Sequence, residues 1–428
     1  MNNIFKVPAV VITLLLILPK YVGSLVETEH QTTLDKWSEN PAINIVNKSF
    51  TANWFGGVAS TEMVVLLQDD MLEDVTIIVD EVLSFGPIVS TENGFDFALS
   101  HSKADVNFKN LEDLDPELKA FIKDKIHITS LFTFSKNIVS TIVIDEITKT
   151  EGDNKFHFKQ AISEFTLTKN NRVFGEFNWA GMTFEANTDK VKVGQVSFDF
   201  DQTLVAGNYH RGDAIVSGYF NFMINNINAT DNAHNSALLI ENLTMRGESK
   251  VVDKLMNFSL TYHADKMESL EDKFNHANLE FVVDALSIDS LQELNKFVAS
   301  FSSNSDELFS PANMEQLGHI IDKLLSTDPI LKITDLSVET PQGKIESSLT
   351  IQIDNTLFNV ANTMSIVQAL DAQANAKAPE AFILKSGLLP EIENYIEQGL
   401  LRRENDEISF VLNFSKGQLT INGNIIPL

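Results

Sequence analysis

Cysteine is absent from all 428 residues. That gap removes disulfides, thiolate nucleophiles, zinc ribbons and iron–sulfur clusters together. It leaves the compartment open, because an exported protein with a large core needs no disulfide. Positive charge is scarce: 32 Lys and Arg stand against 59 Asp and Glu, and the basic residues nowhere form a block. Nucleic-acid binding needs Lys and Arg to displace phosphate counterions, so the chain reads as binding no nucleic acid. No Pro-rich or Gly/Ser-rich linker divides the chain, which favours one continuous body. Past Val22 no stretch offers 18 consecutive apolar residues, so there is no second candidate span.

The motifs of common chemistries are missing as well. There is no Gly-rich dinucleotide fingerprint, no P-loop and no nucleophile elbow. The nine His residues never pair at zinc-ligand spacing. No cofactor or metal site is expected, and no catalytic residue. His210, Arg211 and Asp213 form the most polar cluster and read as a surface loop. Asp199 and Asp201, in "SFDFD", share one face of a strand. With Phe198 and Phe200 turned inward, the two carboxylates read as its solvent side. Five Asn-x-Ser/Thr sites, at Asn47, Asn228, Asn242, Asn257 and Asn413, matter only in a glycosylating pathway.

Phenylalanine is abundant instead, with 30 copies against 5 Tyr and 3 Trp. It supplies large buried area without a polar handle, which suits many half-buried strands. The pattern past residue 30 is mainly period two. Phe132 and Phe134, Val191 and Val193, and Val196, Phe198 and Phe200 alternate with polar neighbours, as do Phe95, Phe97 and Leu99. The apolar parity slips by one at Gly194, as at a β-bulge. "TPQG", Thr340 to Gly343, and Asn422-Gly423 mark hairpin turns. Asp115-Pro116 and Ser310-Pro311 mark helix starts. Leu291, Leu294, Phe297 and Val298 form a further helical stripe, and two helical pieces follow Pro379 with a break expected at Pro390. Runs of strands with few helices give an α+β class, mainly antiparallel β. The expected architecture is an elongated strand-rich body, a few packed helices and one N-terminal membrane-spanning helix.

The N-terminal run has two readings. Ile4 to Val22 as a helix would rise roughly 28 Å, near the thickness of a bilayer core. Ala9 to Leu18 also fits the apolar core of a cleaved signal peptide, which would give a soluble exported protein. Length alone does not choose between them.

Several short signatures, taken in order, resemble the bacterial YdgA-like family, a membrane-anchored domain of unknown function. Pro19, Gly23 and Glu27 match the end of its anchor. Trp54 and Phe55 match a Trp-Phe turn, with Gly57 where Ser is expected. Gly86 and Pro87 match a His-Gly-Pro element, with Phe85 in place of His. Trp179 and Gly181 match a mid-chain Trp-x-Gly, and Gly417, Asn422 and Gly423 match the ending. The similarity covers nearly the whole chain.

The resemblance implies a retained anchor at residues 1–24 and a single body, 25–428, in the periplasm. The Pro19–Gly23 junction would then end the span and turn the chain onto the membrane surface. It also implies a homo-oligomer, contacting the membrane through its N-terminal helix, and carries over no catalytic residue. Trp54, Phe55 and Trp179 are expected as packing anchors, and Gly86, Gly181 and Gly423 as turn residues. Two functions follow: a non-catalytic homodimerising scaffold, or carriage of lipid or another apolar ligand in a Phe-lined β-groove.

Overall fold

The computed structural model describes the chain except for residues 1–5, 67–73, 93, 110–124, 187–188, 231–235, 271, 300–309, 359–361, 388 and 428. The expected helix start at Asp115-Pro116 lies outside the described residues, as does the first residue of the apolar run.

The fold opens with helix α1, Lys6–Trp37. Strands β1 (Ile43–Ala52), β2 (Gly56–Val65), β3 (Val75–Phe85), β4 (Ile88–Thr91), β5 (Gly94–Phe97), β6 (Ser100–Phe108), β7 (Ile126–Phe132) and β8 (Ile138–Ile144) follow. Next come β9 (Ile147–Glu151), β10 (Asn154–Phe158), β11 (Ala161–Leu167), β12 (Arg172–Trp179), β13 (Met182–Ala186), β14 (Asp189–Val193) and β15 (Val196–Ala206). Four long strands, β16 (Ile215–Thr230), β17 (Ser236–Val252), β18 (Leu255–Ser269) and β19 (Lys273–Ser287), lead to helices α2 (Ile288–Ala299) and α3 (Pro311–Leu325). Strands β20 (Ile330–Thr340) and β21 (Gly343–Ile353), the short α4 (Ile366–Ala369) and β22 (Leu370–Pro379) come next. The chain closes with α5 (Glu380–Ser386), α6 (Leu389–Glu397), β23 (Arg402–Glu404), β24 (Glu407–Ser415), β25 (Gln418–Ile421) and β26 (Asn424–Ile426).

Every described pairing is antiparallel, and all strands but β4 and β5 join one sheet. The class is therefore mostly antiparallel β with few helices, as the alternation predicts. The sheet is a meander in which sequence neighbours are spatial neighbours, so short turns suffice to build it. It is also creased. β8 and β9, β11 and β10, β12 and β13, and β15 and β14 are halves of four strands, each interrupted at the same level. Gly194 N–H donates to Asn226 O at 2.7 Å and Lys159 N–H to Gly181 O at 3.0 Å, so pairing persists across the crease. The parity slip at Gly194 marks one strand's passage through it.

Other local signals hold. Ser310 caps α3, its Oγ accepting from Asn313 N–H. Pro341 and Gln342 connect β20 to β21, and Asn422 and Gly423, both at positive φ, connect β25 to β26. The helix pair after Pro379 breaks at Gly387, which takes the left-handed conformation at φ 77°, and not at Pro390. Pro390 sits in the first turn of α6, where a missing N–H costs no hydrogen bond.

The largest departure is α1. It does not end at Pro19–Gly23; it continues through Pro19 to Trp37. Proline in a helix interior costs about 3 kcal/mol. Burial on the far side outweighs that: Val22 and Val26 pack with Ala59, Leu83 and Phe85 in one apolar cluster. Among the described residues no helix is long and apolar enough to cross a membrane.

Candidate functional site

Alternation puts every second residue on one face, and cross-strand partners share that face. One transverse row runs Phe177, Phe198, Phe222, Met245, Tyr262, Leu279, Leu336. The row beside it runs Phe165, Gly175, Phe200, Phe220, Gly247, Leu260, Phe281. Gly247 stands where a ring needs room, since a Cβ there would lie 2.2 Å from Phe220 Cε1; at Gly175 the neighbouring strand comes close, and a Cβ would lie 2.3 Å from Glu164 O and 2.6 Å from Phe165 Cβ. The phenylalanines of both rows are half-buried, and Tyr262 and Leu336 are 36% and 44% exposed. These rows form an apolar track that stays partly open.

The reverse face is polar. Glu164, Glu176, Asp199, Asn221 and Arg246 are cross-strand neighbours there. Asn221 Nδ2 donates to Asp199 at 2.9 Å, and Arg172 donates twice to Asp201. That guanidinium holds the Asp201 carboxyl below the usual carboxylate range, mainly through the hydrogen bond. The paired carboxylates of "SFDFD" therefore belong to the outer surface. No cluster of potential metal ligands occurs among the described residues.

The track opens into two grooves. One, of about 490 Å³, lies over β17 to β21 and is lined by Tyr262, Met267, Phe274, Leu279, Leu336 and Val338. His263 stands at its wall, Nδ1 2.7 Å from Asn278 Oδ1 and Nε2 2.8 Å from Asp265. Hydrogen bonds to Asn278 and Asp265 raise its pKa. The larger groove, of about 730 Å³, lies between α1 and the sheet. Its helix side is Val26, His30, Leu34 and Trp37; its floor includes Ile45, Met63, Leu83, Phe132, Ile138 and Leu167. Register places that floor on the same face as the rows, through Ile138, Leu167 and Val173. Of the phenylalanines, only Phe132 lines this groove and only Phe274 the other, among the described residues. Seven of the 30 phenylalanines lie in the two rows of the track.

Helix α1 is held over the larger groove at two points. About two turns before its end, His30 Nε2 meets Glu81 at 2.8 Å, and the imidazole tilts against Phe50. At its end, Trp37 sits edge-on to His210, ring centroids 5.1 Å apart, and Arg211 pairs with Glu39 at 2.8 Å. The cluster around His210 is thus a docking point for the helix, a correction to its reading as a surface loop. A short 3-10 turn, Tyr209–Arg211, presents it. Sequence reasoning missed this because Trp37 lies 173 positions away from His210.

Burial, with Lys36 adding to it and Glu39 opposing, lowers the His210 pKa, and its Nδ1 finds no partner among the described residues. The released state then binds a proton more readily than the docked one. Docking is favoured above about pH 6.5, the ordinary histidine value, and is lost as pH falls through the lowered value. Acidification is expected to red-shift Trp37 emission in a Trp54→Phe/Trp179→Phe background. A His210→Gln substitution should remove that pH response.

The signature residues divide into three places. Pro19, Gly23, Phe55, Gly86 and Pro87 converge on Phe85, which is 2% exposed. Its ring lies between Gly23 of the helix and Gly57 of β2: added Cβ atoms would stand 2.7 Å from Phe85 Cε2 and 3.2 Å from Phe85 Cζ. The two departures from the motifs, Phe for His and Gly for Ser, therefore touch each other. A larger ring accompanies a smaller neighbour. The Gly86–Pro87 peptide is cis, and a Cβ at Gly86 would meet Ala98 O at 1.7 Å. Glu27, half-buried, lies one turn beyond Gly23.

Trp54 and Phe55 are not buried anchors; they are 48% and 56% exposed. The turn they occupy joins the edge strand β1 to β2 and is covered in part, by Pro19 and Phe85 beside Phe55 and by Lys20 over the Trp54 ring, which leaves both rings half in solvent. Trp179 is held at the crease, stacked on Phe158 at 4.9 Å and donating to Lys159 O at 3.1 Å. Gly417, Asn422 and Gly423 lie at the opposite edge of the sheet. There Asn422 Oδ1 accepts from Val411 N–H and its Nδ2 donates to Leu400 O.

The fold is thus an antiparallel meander, apolar on one face and strapped by an N-terminal helix. The chain belongs to the bacterial family of proteins of unknown function DUF945, whose family model matches residues 4–428. No curated protein and no solved structure matches it.

Proposed function

We propose that this protein is a non-catalytic, YdgA-like envelope protein, held at the inner membrane by its N-terminal segment, whose periplasmic body binds an apolar ligand such as a lipid acyl chain. The observation that carries this reading is the continuous apolar track linking the two grooves. Water-facing sheets normally keep one face polar and bury the other. Here the apolar face is left half open over seven consecutive strands, β12 to β20 along the Phe177 row. An acyl chain lying along it would cover that surface at about 25 cal/mol per Å².

Native mass spectrometry of the full-length protein, gently released from membranes, tests the reading. The expected result is a reproducible lipid adduct that Met245→Lys, in the middle of the track, removes while the protein stays folded. Wild-type protein that never carries lipid would sink it.

A second reading, a homodimerising scaffold, is favoured by the open ends of the sheet. Among the described residues β1 pairs only with β2, and β26 only with β25. Open edges can pair with a second copy. A lipid-free dimer in the same spectra supports this reading, and a strict monomer opposes it.

A further inference from the structure

The strands β4 and β5 stand apart from the main sheet as a separate hairpin. Val89 on its inner side is fully buried. Its outer side is the reverse of what a soluble hairpin shows. Phe95 and Phe97 are 83% and 73% exposed, and Ile88, the cross-strand partner of Phe97, is 44% exposed. Asp96, between the two rings, folds back to accept from Phe97 N–H at 2.7 Å.

This hairpin is not isolated. A cleft of about 370 Å³ brings together Pro19 of α1, Phe55, Ile88 and Phe95. Beside it, Lys20 Nζ lies over the Trp54 ring, 5.0 Å from its centroid. Tyr21, 71% exposed, is on the same turn of the helix. Elements far apart in sequence thus meet at Pro19, with Phe97 across from Ile88 and Trp54 next to Phe55 extending a collar of exposed apolar side chains. Exposed aromatic and aliphatic side chains gathered in this way mark an interaction surface.

What covers the collar is indicated by the helix itself. On the N-terminal side of Pro19 the backbone of α1 continues to Lys6, and residues 7–18 contain no charged residue. The apolar run therefore directly precedes the collar residues of the helix in sequence. Trp, Tyr and Lys at the end of such a run are the residues that favour the lipid head-group region. The protein is otherwise strongly acidic, so attraction of the whole body to anionic lipid does not explain the patch.

We infer that the collar formed by Tyr21, Trp54, Phe55, Ile88, Phe95 and Phe97 docks into the head-group region of a phospholipid bilayer and fixes the body against the membrane. This inference rests on the anchored reading above. It adds contacts made by the hairpin and the β1–β2 turn to those of the helix. The continuous helix, packed on the sheet, sets the direction of the body; the collar adds lipid contacts that hold the helix-end of the groove at the membrane surface.

The absence of native cysteine allows a single reporter. Ser90→Cys, on the exposed face beside Phe95, carries a nitroxide in full-length protein reconstituted into vesicles of zwitterionic and anionic phospholipid. Asp153→Cys, in the β9–β10 turn, serves as the control. The expected result is a ratio of oxygen to nickel-complex accessibility at position 90 severalfold above that at position 153. Phe95→Ser/Phe97→Ser should bring the two together while the protein still floats with the vesicles. Both phenylalanines are mainly exposed, so this variant keeps its fold.

Flotation with equal ratios at both positions overturns the docking and leaves the anchor standing. Failure to float overturns the anchor and the docking with it. Nitroxide–nitroxide broadening at position 90 without lipid would show a second copy of the chain on the collar, and also overturns the inference.

Discussion

Phe85→Ala is expected to lower the free energy of unfolding by about 3–5 kcal/mol, the range for emptying a large buried aromatic site. The ring is 2% exposed and touches both the helix and the sheet. Its removal separates two elements and also leaves a cavity. A urea series on the full chain reads the loss as a lower midpoint.

The same pair predicts a change of sign. In the wild type, Gly23→Ala puts a Cβ 2.7 Å from Phe85 Cε2 and should destabilise by about 1–3 kcal/mol through overpacking. In the Phe85→Ala background that collision is gone. Alanine then gains its helix advantage over glycine, up to about 1 kcal/mol. A double-mutant cycle should therefore show strong coupling. Additive effects would mean that the helix is not seated on Phe85.

Gly181→Ala is expected to be nearly as severe, at about 3 kcal/mol or more, and for a different reason. Gly181 sits at φ +95°, and an added Cβ would lie 2.2 Å from Val193 O and 2.5 Å from Gly194 O. These are carbonyls of the neighbouring strand at the crease, which cannot turn aside as a side chain can. Gly423 is the comparison. Its φ is +84° with nothing within 4 Å of an added Cβ, so Gly423→Ala should cost only the conformational part, about 1–2 kcal/mol. The difference between their urea midpoints isolates the collision. Equal losses would show that the crease can relax.

Motifs in a single strand, turn or helix start were legible before any fold was known. The alternation of Val196, Phe198 and Phe200 sets a strand with one apolar face, because side chains in a strand repeat every two residues. The parity slip at Gly194 locates an interruption. Asn422-Gly423 and Ser310-Pro311 define a hairpin and a helix start, since each satisfies a local backbone requirement. The prevalence of these signals is enough to give a mainly antiparallel chain.

The candidate site was legible only in pieces. Pro19, Gly23, Gly86 and Pro87 were marked by resemblance, but not their meeting around Phe85. Trp54 and Phe55 looked like buried anchors, because residue type gives the tendency to bury and not the neighbour that would do the burying. The resemblance suggested that the helix ends at the Pro19–Gly23 junction; contacts by Val22 and Val26 with distant strands decide that it continues. His210 became a docking point only once Trp37 was laid against it.

Local sequence thus determined the strands, the turns and which residues share a face. Tertiary structure decided which of those faces were covered. Period and propensity act over a few residues, whereas burial depends on partners far away in the chain, as Phe85 is to Val22 and His210 to Trp37.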